Sequence, residues 1–481
     1  MQTPVHGSLL KPLQVNEAVG VWFHFSHSGS TALPHLPADI LKWSKNYQNI
    51  TYGVLDTPFQ TVTTYANNSC LLLLDGRIDN LATLNDAYQI SDPSVQSVVW
   101  YLYVTFGIKG FYRLKGRFTL VLYSVESEKT MLYRPYLSGF PLYYQSQEGG
   151  YTLSTNPLQL CDTKNSVTPL DKQRVAHYFT ADPLKFSSHP FHSLSKLEPG
   201  EIVLMDAEGV EKIRQPVHEA FPKQAIPTQK DAIYRAYRRL IETAVSETLR
   251  EDIDYGIMLS SGIDSATLAY HASKLLSKRG KKLIAYSWKL PNDAADESEK
   301  VKALCETLEI ELKLLSAEGM GPFDEVGSMA YNPGSPVTNA FARLNRECYK
   351  LASRDGIKYL LNGNFGDMLF KYGQPKLTEL WKERQFGQLL LALKRVSKKV
   401  IPAETQVRTP WLTDEVKSLR KEKTHSETGK TDYRYALCDF HEDYFGGERY
   451  LSGVYGITRL EPHRNSALVN FCLQLPQTLH S

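Results

Sequence analysis

The 481-residue sequence is poor in features that mark a special environment. Its six cysteines, Cys70, Cys161, Cys305, Cys348, Cys438 and Cys472, stand singly. With no C-x-x-C pair there is no sign of a paired-cysteine metal or redox centre, and reduced core thiols are expected. The longest apolar stretch, around Val98 to Ile108, falls far short of the roughly 20 residues that cross a bilayer. Met1 to Leu13 has no apolar run able to form the core of a signal peptide. A cytoplasmic protein without a membrane span is therefore expected, in which the sequons at Asn49 and Asn67 carry little meaning. The net charge is only +3, so no global excess of one sign argues for nucleic acid or a membrane surface as partner. Internal repeats are absent, and so are G-x-x-x-x-G-K-S/T and G-x-G-x-x-G, which removes the P-loop and dinucleotide fingerprints.

What is present divides into two grammars. Up to about residue 205 the chain reads as short strands rich in β-branched and aromatic residues, bounded by turn formers: Val19 to Phe25, Cys70 to Leu74, Phe118 to Tyr123, Lys129 to Tyr133, Leu142 to Gln145 and Glu201 to Met205. Helical periodicity shows only near Ser94 to Thr105 and Leu170 to Thr180. An antiparallel sandwich with a few helices is predicted. Pro216, Pro222 and Pro227 mark a linker. Beyond it, Ile233, Tyr237, Leu240, Ile241, Ala244 and Val245 share one helical face. Strands and helices then alternate: Tyr255 to Leu259, a helix from Ser265, Lys282 to Ser287, a helix from Asp296, Glu311 to Leu315, a helix over Asn339 to Ala352, and Lys358 to Leu361. This alternation predicts a parallel sheet covered on both faces, with its ligand outside the carboxyl ends of the strands. The domains are expected at 1–212 and 230–481, joined by a linker at 213–229.

The turns after Leu259 and Leu361 are thus where chemistry is sought. Ser260-Ser-Gly-Ile-Asp-Ser265 is a small-residue loop opening a helix, which offers unpaired N–H groups and the positive end of the helix dipole to an anion. Hydroxyls on Ser260, Ser261 and Ser265 add donors, and Asp264 can hold magnesium on phosphates. A helix N-cap of Ser and Asp would also explain such a turn. The second turn is Asn362-Gly-Asn-Phe-Gly-Asp367.

The first loop resembles the S-G-G-x-D-S pyrophosphate loop of ATP pyrophosphatases, with Ser261 at the first Gly. The spacing from Gly363 to Asp367 matches the G-x-G-x-D segment that closes the same site in asparagine synthetases. Landmarks elsewhere extend the resemblance over almost the whole chain: Asp75-Gly-Arg-Ile-Asp-Asn80, Leu114-Lys-Gly-Arg-Phe118, Pro141-Leu-Tyr-Tyr144 and Leu197-Glu-Pro-Gly200, then Ala285-Tyr-Ser-Trp288, Asp296-Glu-Ser298, Tyr455-Gly-Ile457, Pro462 and Leu475-Pro476. The sequence is similar to the asparagine synthetase superfamily of ATP-pyrophosphatase amidoligases. That resemblance implies an N-terminal glutaminase-like (Ntn-type) β-sandwich and a C-terminal synthetase domain of adenine nucleotide α-hydrolase type. It implies ATP and Mg2+, with Asp264 and Asp367 as metal ligands. The backbone near Leu259 and around Ser287 and Trp288 would frame adenine, Ser260, Ser261, Gly262, Asp264, Ser265 and Gly363 would hold the phosphates, and Asn364 and Asp367 would be the catalytic positions.

Departures from the family pattern refine the expectation. A glutaminase of this type uses an N-terminal cysteine, and Gln2 follows Met1 here. The family's N-G-E-I-Y-N reads Asp75-Gly-Arg-Ile-Asp-Asn80, and Pro135 stands where an Asp would hold the glutamine amine. A scaffold without ammonia production is implied, and with it relatives whose amine is already in the substrate. β-Lactam synthetases carry Tyr at the position of Asn364, so the resemblance points by elimination to lasso peptide cyclases. These close a macrolactam on a precursor core peptide, with a maturation protease or leader-binding protein as partner. A small-molecule amidoligase, such as a β-lactam or ammonia-dependent asparagine synthetase, and a pseudoenzyme or assembly subunit are the alternatives. Relatives also carry a Lys after the L-P segment, which Gln477 to Ser481 does not supply. Arg408, Lys417, Lys421 and Lys423 are the candidates to substitute, from a stretch, Lys394 to Lys430, with ten Lys or Arg and five Asp or Glu, whose plainer reading is a solvated helix face.

Overall fold

A computed structural model describes residues 21–26, 41–47, 50–55, 62–147, 150–160, 171–172, 194–291, 296–321, 339, 341–371, 386–387, 390, 413 and 442–475. The first half builds strands β1 Val21–Ser26, β2 Leu41–Tyr47, β3 Ile50–Leu55, β4 Val62–Ala66, β5 Cys70–Ile78, β6 Gly116–Ser124, β7 Lys129–Tyr133, β8 Tyr143–Gln147, β9 Gly150–Ser154, β10 Ser195–Lys196, β11 Glu201–Asp206 and β12 Gly209–Arg214, with helices α1 Leu81–Tyr88 and α2 Val95–Phe106 between β5 and β6. They form two six-stranded sheets, β10-β8-β9-β1-β3-β2 and β12-β11-β7-β6-β5-β4, antiparallel throughout.

The unbroken apolar run in β5 has a plain cause. Leu71 and Leu73 face the other sheet and pack with Tyr144, Tyr151 and Leu153. Cys70, Leu72 and Leu74 face the helices and pack with Val98, Val99 and Leu102. A strand buried on both faces needs apolar residues at every position, which hides the alternation of a half-exposed strand. The helix expected at Leu170 to Thr180 lies almost wholly outside the described residues.

The second half contains α3 Lys230–Thr248, β13 Tyr255–Met258, α4 Ile263–Lys278, β14 Leu283–Lys289, α5 Ser298–Leu308, β15 Glu311–Ser316, α6 Ala342–Arg354, β16 Tyr359–Asn362, α7 Gly366–Lys371, α8 Glu442–Gly453, β17 Thr458–Leu460 and α9 Ser466–Leu473. All five strands are parallel, in the order β15-β14-β13-β16-β17. Tyr255 and Ile257 bury against one helical layer, with Leu268, Ala272 and Leu468. Met258 and Tyr286 bury against the other, with Cys348 and Tyr349. The strand order reverses between β13 and β16, so the loops after these two strands meet at the topological switch point, where open α/β sheets bind ligands.

The halves share a buried seam. Tyr136 and Leu137 of the first half belong to the apolar core of the second. Arg449 donates to both oxygens of Asp75 at 2.6 and 2.5 Å, with its guanidinium 4.4 Å from the Phe140 ring centre. Glu461 receives Arg459 at 3.0 Å, Arg117 from the sandwich at 3.1 Å and Arg464 at 3.4 Å. Burial alone would raise the Glu461 carboxyl, but Arg459, Arg117 and Arg464 hold it below its ordinary value. Removing one member of such a buried cluster leaves charge uncompensated, at about 3–5 kcal/mol. Glu461→Gln is therefore expected to lower the denaturation midpoint strongly at pH 7. A carboxyl whose pKa is depressed by folding stabilises above its unfolded value and loses that contribution as pH falls through its folded value. Midpoints measured between pH 7 and pH 3 should show the mutant and the native protein converging at the acid end.

The described cysteines, Cys70, Cys305, Cys348 and Cys472, are buried free thiols. Burial pushes them up, to about 11 for Cys70 and Cys305 and about 12 for Cys348 and Cys472, so they are inert core residues. Among the described residues no helix is long and apolar enough to cross a membrane.

Candidate functional site

The loop after β13 folds around one hydroxyl. Ser265 Oγ donates within reach of the carbonyls of Ser260, at 3.1 Å, and Gly262, at 3.2 Å, while it accepts from the Ser260 N–H at 3.2 Å. Ser260 Oγ lies 3.0 Å away and accepts from the Gly262 N–H at 3.2 Å. With Ser265 only 5 % exposed, its hydroxyl shapes the loop instead of standing free as a ligand donor. Helix α4 begins at Ile263, two residues before the sequence expectation, with Gly262 as its N-cap and no side chain capping it. The Ser/Asp cap that would have explained the turn structurally is not formed. The Ser261 N–H donates to Glu297 Oε2 at 3.1 Å, so one loop amide already faces an anionic oxygen.

The second loop locks onto the first. A Cβ on Gly363 would lie 2.8 Å from the Ser265 backbone nitrogen, and one on Gly366 would lie 2.3 Å from Asp264 Cγ and 2.6 Å from both its oxygens. Only residues without a side chain permit that approach. Between them Phe365, at the middle Gly of the G-x-G-x-D pattern, takes φ +77°, a conformation rare outside glycine. It is held there by burial, 4 % exposed, and by the Arg464 guanidinium 5.3 Å from its ring centre. His463 sits behind the first loop, 1 % exposed, with Nε2 3.4 Å from the Asp264 carbonyl oxygen. Burial holds this imidazole down at about 4, so it is neutral at pH 7.

Both loops open into a cavity of about 600 Å³. Of the residues singled out from sequence, Leu259, Ser260, Gly262, Asp264, Ser265, Trp288, Gly363, Asn364 and Asp367 line it. Ser261 and Ser287 are not among its lining. For Ser287 the reason is the strand period: Tyr286 and Trp288 point to the cavity side, and the residue between them points to the opposite face, where it is 5 % exposed. Sequence reasoning missed Met258, Ile263, Tyr286, Phe341, Asn345, Asn362, Phe365 and Met368 in the lining. The i, i+2 spacing of Tyr286 from Trp288, and the i, i+4 pair Phe341 and Asn345, are the signals that would have found three of them. The substitute cations Arg408, Lys417, Lys421 and Lys423 lie outside the described residues.

The donor set fits magnesium held on a nucleotide. No group of three or more His, Cys, Asp or Glu able to form an all-protein metal site occurs among the described residues. Two carboxylates, Asp264 and Asp367, line the cavity on the two touching loops, and Mg2+ usually takes one or two carboxylates plus phosphate oxygens. Asn364 Nδ2 is buried with no partner among the described residues, a donor whose pairing by a ligand oxygen would recover about 1–3 kcal/mol.

The chain is thus an antiparallel double sheet followed by a parallel sheet with two interlocked loops at its switch point. Residues 56–216 match the glutamine amidotransferase domain family and residues 236–467 match the asparagine synthase family. The second half of the chain thus matches an asparagine synthase domain and the first half a glutamine amidotransferase domain. Among curated proteins it is 23 % identical over 382 residues to proteins of Mycobacterium bovis and Mycobacterium tuberculosis named putative asparagine synthetase (glutamine-hydrolyzing), covering 78 % of this chain and 57 % of theirs. The chain thus spans little more than half the length of these relatives. Among solved structures the chain matches glutamine phosphoribosylpyrophosphate amidotransferase from B. subtilis, 12 % identical, TM-score 0.28, covering 67 % of this chain and 90 % of that one. The U34-tRNA thiolase NcsA from Methanococcus maripaludis is 16 % identical, TM-score 0.24, covering 47 % of this chain and 79 % of that one.

Proposed function

We propose that the protein is an ATP-dependent ligase that adenylates a carboxylate and closes an intramolecular amide, with a ribosomal precursor peptide as substrate and a macrolactam as product. The observation that carries the reading is the interlock of the two loops at the switch point, which brings the carboxylates of Asp264 and Asp367, the uncapped helix N-terminus and Asn364 Nδ2, unpaired among the described residues, to one cavity.

In the first step an oxygen of the substrate carboxylate bonds to the α-phosphorus of ATP while the bond to the pyrophosphate oxygen breaks. The N–H groups at the start of α4 face the departing pyrophosphate, and Glu297 releases the Ser261 amide to it. Asp264 and Asp367 would hold Mg2+, whose charge neutralises the phosphate oxygens. In the second step the amine nitrogen bonds to the acyl carbon, AMP leaves with the electrons of the C–O bond, and the amine proton passes to solvent. No strong base lines the described cavity beside Asn364. Positioning the two reactants can supply about 7–11 kcal/mol, against about 3–5 kcal/mol for a general base, so a neutral amide there is compatible with turnover.

A peptide acceptor is supported by Ile263 at the cavity edge, 80 % exposed, apolar surface suited to a chain entering from solvent. A scaffold role for the first domain is supported by Asp75, which is spent on Arg449, and by Arg77, which donates to the Thr248 carbonyl at 3.1 Å. A maturation protease or leader-binding protein would deliver the peptide. The test is mass spectrometry of short peptides carrying a free N-terminal amine and a downstream Asp or Glu, co-expressed with the protein and its maturation partners. Loss of one water, in a product that resists linearisation, is expected. Unmodified peptide, or glutamate released from free glutamine, would contradict the peptide and scaffold readings respectively.

A further inference from the structure

The two ends of the cavity differ in chemistry. One is the pair of loops, with bare backbone and carboxylates. The other is an aromatic ledge: the Trp288 and Phe341 rings lie 11° from parallel with centres 6.3 Å apart, and Trp288 Nε1 points to the Leu344 carbonyl at 3.4 Å. A flat nucleobase stacks on such a ledge while its phosphates reach the loops. Asn345 lies one helical turn beyond Phe341, to whose carbonyl its N–H donates at 2.9 Å, so its side chain stands beside the ledge and lines the same cavity.

The orientation of that side chain is set from behind. Asn345 Nδ2 donates to Glu448 Oε1 at 3.0 Å. The Glu448 carboxylate, 3 % exposed, also accepts from Tyr349 at 2.5 Å and Asn339 at 2.5 Å, and faces Arg459 at 3.7 Å. A carboxylate only accepts, so the amide must turn its NH2 toward Glu448 and leave its carbonyl oxygen for the cavity.

We propose that Asn345 selects the base: its side-chain oxygen accepts a hydrogen bond from the 6-amino group of adenine, and Glu448 is the positioning residue that keeps the amide from turning over. The inference rests on the nucleotide reading of the cavity. A 6-oxo purine would set acceptor against acceptor and leave both unpaired, whereas adenine offers a donor.

The test is calorimetric binding of ATP and of inosine triphosphate, its 6-oxo counterpart, with Mg2+ present. The wild-type protein is expected to prefer ATP by about ten- to a hundredfold, the size of a lost buried hydrogen bond. Asn345→Leu should bring the two within about threefold. Glu448→Gln, which can donate as well as accept and so lets the amide turn, should narrow the preference too. A preference ratio is insensitive to a general loss of folded protein, and Glu448→Gln decides alone if Asn345→Leu does not fold. An undiminished preference in the soluble variants, or none in the wild type, overturns the inference while leaving the nucleotide site standing. Failure of the wild type to bind either nucleotide overturns the nucleotide reading and the inference with it.

Discussion

Asp264→Asn or Asp367→Asn is expected to reduce pyrophosphate release from MgATP and a peptide acceptor by at least about 10²-fold, the scale on which single electrostatic contacts to developing charge act. Each substitution keeps the shape of the side chain and removes its charge. Both carboxylates line the cavity, on loops that touch at Gly366. If they act as one magnesium-holding unit, their effects do not add: the double mutant should be little worse than either single one. Neither side chain is in the core, and substitutions at such positions change stability by only about 0.5 kcal/mol, so an unchanged melting profile is part of the expectation. A variant that keeps its pyrophosphate release would remove that carboxylate from the chemistry.

The second large effect is expected from the glycines of the closing loop. In Gly363→Ala the new methyl meets the Ser265 backbone, with its nitrogen at 2.8 Å and its Cα at 3.0 Å. Backbone on both sides cannot yield, so the loops must part, at about 1–3 kcal/mol of overpacking, and nucleotide affinity should fall together with stability. In Gly366→Ala the methyl meets the Asp264 carboxylate at 2.3–2.6 Å. A side chain can swing away, so the fold should survive while Asp264 leaves its place. Turnover of Gly366→Ala is therefore expected to approach that of Asp264→Asn at near-native stability. Parallel melting curves and pyrophosphate assays separate the two outcomes. Equal turnover of Gly366→Ala and the native protein would show that the Asp264 position is not critical.

The parts of this site written in local sequence were legible. Tyr255 to Ser265 reads as strand, turn and helix because apolar run, small residues and helical face follow one another within eleven positions, and Tyr359 to Asp367 reads as strand and turn on the same grounds. The observed β13, β14, β15 and β16 each lie within two residues of their expected ends. β17, Thr458–Leu460, has three residues, too few for a period to show, and its place at the sheet edge comes from pairing with β16 a hundred residues away. The seam was hidden for the same reason. Asp75 and Arg449, or Arg117 and Glu461, become partners only when the halves dock, and nothing in the neighbourhood of either residue announces the other. Phe341 and Asn345 were seen as helix, but which helical face meets a cavity depends on the strands it covers. Ser287, assigned by resemblance through its backbone, turns its side chain to the other face of its strand.

The central claim is that ATP is attacked at its α-phosphorus in the cavity between the two loops. Phosphorus NMR of the nucleotide products, with MgATP, an acceptor peptide and the maturation partners present, tests it most directly. AMP and pyrophosphate in equal amounts, dependent on the peptide and lost in Asp264→Asn, are predicted; ADP and orthophosphate would contradict the account.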